Sequence, residues 1–172
     1  GLPHGAFDGA VALALGYGKT LRSMFRFILA YIVIAACVVV FWMVFPTVAL
    51  LLFLLISMVH FGLGDSQPGG WVQRSIQTLA HGGLVVIAIS LFHRAEVDPI
   101  FAHLLVDDTT VLWMVLSGAA YGLAVIVACY AVLAFQSPVL RPRLGELAAL
   151  GAAYYVLPPL AGFALYFCAV HS

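Results

Sequence analysis

The stretch FILAYIVIAACVVVFWMVF-P-TVALLLFLLISMVHFGL, running from Phe27 to Leu63, contains no Asp, Glu, Lys or Arg. A helix needs about 20 apolar residues to cross the hydrocarbon core of a bilayer. Pro46 divides this stretch into Phe27–Phe45 and Thr47–Leu63, each close to that length. Proline lacks a backbone donor and suits the first position of a helix. The reading is therefore two crossings joined by a very tight connection.

Working outward, the same pattern recurs. Ile76–Phe92 is a third apolar run, interrupted by His81-Gly82-Gly83. Val111–Phe135 is a fourth. Leu147–Val170 is a fifth, read as one crossing kinked at Pro158-Pro159. Gly1–Tyr17 is apolar except for His4 and Asp8, and it is too short to cross. We expect both ends of the chain to lie inside helices of a longer protein. The expected fold is all-α: a polytopic transmembrane helix bundle of about six helices, with the first and last truncated. Residues 1–172 are read as a single membrane domain.

Composition agrees. Of 172 residues, 65% are hydrophobic and 8% charged, whereas soluble domains run near 45–50% and 25%. Seven Lys/Arg balance seven Asp/Glu, which leaves no net charge to attract nucleic acid. Cys37, Cys129 and Cys168 lie inside apolar runs with no metal or redox spacing, and are expected to be small core hydrophobes. Trp42 and Trp113 fall near span ends, as expected of interfacial residues.

Loop charges give an orientation. Alternate threading places Lys19, Arg22, Arg26, Arg74, Arg141 and Arg143 on one side, leaving Arg94 among Glu96, Asp98, Asp107 and Asp108 on the other. By the positive-inside rule the first side is cytoplasmic. The expected location is a cell inner membrane, with the Gly18–Arg26 and Gln136–Gly145 loops inside.

Ionisable residues inside a span mark function by default. His93 and His103 belong to the acidic loop and read as solvated. His4, His60, His81 and His171 lie in apolar surroundings. His60 and His81 sit at similar depth on neighbouring antiparallel spans, and His4 and Asp8 share a helix face at i and i+4. A lone intramembrane histidine is commonly an interhelical hydrogen bond. Four without matching carboxylates suit a metal, because neutral imidazole is the commonest metal ligand. Asp8 and Asp65 are placed to orient such ligands. His81 is read as a substrate-side or supporting residue that could instead ligate. Tyr154, Tyr155, Tyr166 and Phe167 flank or follow the Pro-Pro kink and are candidates to line a path for a long apolar substrate, with Tyr155, Tyr166 and Phe167 taken as the candidate site residues. On these residues alone three chemistries stay open: a histidine-ligated metal site, axial ligation of haem, and a proton relay in a transporter.

Three strings carry more. They are GLPHGAFD at Gly1–Asp8, HFGLGD at His60–Asp65 and YFCAVHS at Tyr166–Ser172. In this order and spacing they resemble the Brp/Blh family of β-carotene 15,15′-dioxygenases. The resemblance implies a membrane iron enzyme using Fe(2+) and O2 to split β-carotene, or a related carotenoid, centrally into two retinal molecules. It matches His4, His60 and His171 to the family's iron histidines. A further family histidine lies one turn later in an H-S-x-R-H pattern, beyond Ser172. A relative that binds carotenoid or retinal without cleaving it would share these strings.

Overall fold

A single residue, Phe45, separates two helices. In the computed structural model, which describes residues 13–14, 16–17, 20–105 and 108–170, α1 (Leu21–Val44) ends at Phe45 and α2 (Pro46–Asp65) begins on the proline. At the start of α1, Thr20 and Ser23 cap each other reciprocally: each side-chain oxygen accepts from the other's backbone N–H. This satisfies two donors that a helix start leaves open.

Next come α3 (Trp71–Phe92), α4 (Arg94–Leu105), α5 (Thr110–Gln136), α6 (Arg141–Val156) and α7 (Pro159–Ala169). The described residues thus form seven helices and no strand. Four of them, α1, α2, α3 and α5, are long and apolar enough to cross a membrane. None of α1 is buried, so its apolar surface faces outward all round.

α2 and α3 make the tightest pair. A Cβ on Gly62 would overlap the Thr78 carbonyl, and one on Gly82 would overlap the Met58 carbonyl. The two backbones touch because both positions lack a side chain. Polar groups close the turn between them: Ser66 donates to the Gly62 carbonyl (2.6 Å), and buried Gln77 accepts from the Gln67 N–H (3.0 Å). Just past Gly82-Gly83, α3 widens into a π-turn over Leu84–Ala88.

Three expectations are corrected. The fifth apolar run is not one kinked crossing. It breaks at Leu157-Pro158, and α7 turns back along α6. A Cβ on Gly162 would lie 3.2 Å from the Tyr154 ring and 3.9 Å from its Cα, whereas residues eight apart in an unbroken helix are about 12 Å apart. Within the acidic loop, Arg94–Leu105 is helical. The three cysteines are exposed rather than core. Trp113, in the first turn of its helix, is 3% exposed, buried against Phe101 and hydrogen-bonded to Asp98.

Candidate active site

Pro158 explains the local geometry around Tyr154. Its missing N–H leaves the Tyr154 carbonyl, four residues earlier, without a helical partner. The His93 Nε2–H fills that vacancy at 2.7 Å. Read from sequence as a solvated loop residue, His93 is half-buried and ties the end of α3 to the helix break. Its Nδ1 lies 3.3 Å from Glu96. His103 is exposed, as expected.

The break reverses the chain, and the reversal carries Tyr166 to the far end of α2. The Tyr166 hydroxyl donates to Asp65 Oδ2 at 2.7 Å. Phe61 packs edge-on against Tyr166, with centroids 5.5 Å apart, and against Phe163 at 5.9 Å. His60 meets Phe61 edge-on at 5.5 Å, and Phe163 stacks on Phe167. The second and third sequence strings, more than 100 residues apart, therefore meet in one corner of the bundle. His60, Phe61, Asp65, Tyr166 and Phe167 each make further interactions.

Behind this corner lies a cluster of Val85, Ile89, Leu150, Tyr154 and Tyr166, with Phe61 and Val170 packed on it. Both tyrosines are fully buried. Sequence reading named Tyr154 and Tyr155 together as aromatics beside the kink and favoured Tyr155 as the site residue. The structure turns Tyr155 outward, 71% exposed and edge-on to Phe92. Neighbouring helical residues point about 100° apart, so the break decides which of the two faces inward.

His81 is buried at 4% exposure and faces Tyr130 of α5, Nε2 to hydroxyl 3.5 Å. His4, Asp8 and His171 lie outside the described residues. Among the described residues no three His, Cys, Asp or Glu side chains gather into a metal-sized group. The donor types in the corner are ones that iron accepts. The corner offers imidazole, carboxylate and phenol, while the thiols lie exposed on the outer surface. Such hard and borderline donors suit Fe(II) better than a thiolate-seeking metal. A separate cleft of about 480 Å³ lined by Met58, Leu79, Ile87, Ala119, Gly122 and Leu123 involves none of these residues.

Comparison with known proteins bears on all of this. A family model described as beta-carotene 15,15′-dioxygenase matches residues 1–172. A curated beta-carotene 15,15′-dioxygenase from uncultured marine bacterium 66A03 is 32% identical over 175 residues, covering all of this chain and 62% of that protein. The chain thus spans about three fifths of the length of that relative. No solved structure matches. Family model and whole-chain identity agree with the meeting of the strings in space: the chain belongs to the β-carotene 15,15′-dioxygenase family.

Proposed function

We propose that this chain is the core of a membrane-embedded, iron-dependent oxygenase that splits β-carotene at its central double bond with O2, giving two retinal molecules. The observation that carries the reading is the Tyr166–Asp65 hydrogen bond. It joins the strand of sequence holding His60 to the one leading into His171. The relative's name supports the substrate and the reaction.

His60 would hold the iron together with His4, His171 and a histidine beyond Ser172. When bound, the iron supplies O2 activation, chemistry that no side chain provides alone. The protein's own contribution is position and dryness. Asp65 and Tyr166 lock α7 onto α2, so the end of α7 keeps a fixed place relative to His60. Phe61, Phe163 and Phe167 line the corner with stiff apolar rings. Such walls exclude water and hold a rigid polyene against one point. A substrate dissolved in the bilayer then reaches the site without crossing water. The cation-rich segments around Arg22 and Arg141 face the cytoplasm of an inner membrane.

The test is incubation of the full-length, iron-loaded protein with β-carotene in air and under argon, followed by chromatography for retinal. Retinal in air alone is the expected result, with both atoms of one labelled O2 in the two aldehydes. Equal retinal in both atmospheres, or none in air, would end the oxygenase reading and leave carotenoid or retinal binding in its place.

A further inference from the structure

Tyr154 occupies a position where a phenylalanine would pack as well and fold better. Its side chain is fully buried, and its hydroxyl has no hydrogen-bond partner among the described residues. A buried donor left unpaired destabilises the fold, while an apolar group of the same shape does not. The other buried phenols are used: Tyr166 donates to Asp65, and Tyr130 meets His81.

Nor can the ring readily turn away to find a partner. Gly162 of α7 sits against one edge, leaving no room there even for a methyl group without adjustment. The backbone on the same residue is pinned by His93. The hydroxyl is held in the cluster behind Phe61 and Tyr166, within electrostatic reach of Asp65 and of the Tyr166 hydroxyl. The Tyr166 proton is already committed to Asp65, so Tyr154 is the phenol of this corner with a proton to offer.

We propose that the Tyr154 hydroxyl is a hydrogen-bond donor reserved for the aldehyde oxygen of the cleavage product. This rests on the function proposed above. A carotene hydrocarbon carries no acceptor, so the hydroxyl gains nothing when substrate binds. An acceptor arrives only with the new carbonyl. A donor unpaired before the reaction and paired after it favours the product-like side of the barrier, which is where binding energy accelerates a reaction. Tyr154 keeps its proton throughout: it donates a hydrogen bond and forms or breaks no covalent bond.

The experiment compares the full-length protein with Tyr154→Phe by three measurements. In the unliganded protein the variant should melt at a higher temperature, because an unpaired hydroxyl has been removed. With all-trans-retinal bound, the carbonyl stretching frequency of the parent should lie below that of retinal in an apolar solvent, and the variant should return it to that value. With β-carotene, kcat should fall about tenfold at unchanged KM, the value of one neutral hydrogen bond made only late in the reaction. A lower melting temperature in the variant would mean that the hydroxyl has a structural partner, a buried water included, and would overturn the proposal. Identical carbonyl frequencies in the two proteins would overturn it as well. The two readings fail separately. A parent that yields no retinal defeats the oxygenase, while the carbonyl frequency still decides whether Tyr154 donates to an aldehyde. An active parent with an equally active variant and unshifted frequency defeats the role of Tyr154 alone.

Discussion

Two polar clusters of the bundle are built on different principles. At the His93 end of α3, Asp98 accepts from the Trp113 indole N–H and from the Thr109 hydroxyl. Arg94 lies 4.7 Å above the Trp113 ring, and His93 fills the carbonyl that Pro158 leaves open. Each polar atom named there has its partner, and the cluster staples α4, α5 and the helix break together. Where α7 meets the end of α2, Tyr166 and Asp65 pair, but the hydroxyl of Tyr154, packed in the same cluster as Tyr166, is buried without a hydrogen-bond partner among the described residues. A saturated cluster is complete as it stands and acts as scaffold. An unsaturated one is waiting for something, and such gaps are where function is expected.

The comparison is broken most violently at His60. His60→Ala in the full-length protein should remove bound iron and drop retinal formation to the level of protein-free controls. The nearby carboxylate and phenol are already paired with each other, so they do not readily replace a lost imidazole. Iron analysis and product chromatography on the same sample decide it. Full iron content would exclude His60 as a ligand.

Gly62→Ala should come next, and should strike stability first. Its methyl group would enter the Thr78 carbonyl, which forces α2 and α3 apart and should destabilise by about 3 kcal/mol. Thermal melting in detergent checks this. An unchanged melting temperature would mean that the helices separate at no cost and that their close approach does not position His60.

His93→Ala should cost about 1–2 kcal/mol, because it leaves the Tyr154 carbonyl buried without a donor. The loss should appear as earlier melting and as faster hydrogen exchange around the α6–α7 break. Activity per folded molecule should fall as well, since the break aims both Tyr154 and Tyr166. His103→Ala, at an exposed position, is the matched control and should change neither.

These effects also mark where the sequence was readable. Run length alone gave α2, α3 and α5, because crossing a bilayer demands an unbroken apolar stretch. The motif strings identified His60, Asp65 and Tyr166, which the fold brings to one corner; His4, Asp8 and His171 are outside the described residues. The turn at Pro158 was read as a kink because a kink and a reversal begin with the same missing N–H. The difference is set by Gly162 meeting Tyr154, a tertiary contact. A proline inside a helix always frees the carbonyl four residues back, and that rule could have pointed to a donor such as His93. The cysteines misled for another reason. In a bilayer both the core and the lipid-facing surface are apolar, so hydrophobicity does not separate Cys129 facing outward from Ala134 facing inward.

The smallest expected effect sharpens the scaffold side of the comparison. Asp98 is held below the usual carboxylate range, first by the Trp113 indole N–H, then by the Thr109 hydroxyl, with Arg94 adding a smaller electrostatic contribution. A carboxylate whose folded pKa is depressed stabilises the fold at pH above its unfolded value, about 3.9. That contribution is lost as pH falls through the lower folded value, because the folded protein must then take up the proton it had resisted. Asp98→Asn keeps an oxygen for Trp113 and Thr109 but removes the charge. The parent should therefore melt slightly above the variant at pH 7, and the gap should close as pH is lowered below about 4. Activity per folded molecule at pH 7 should be the same for both. A gap that stays constant from pH 7 to pH 3 would show that the charge on Asp98 does not couple to folding, and that the cluster holds by packing of Trp113 alone.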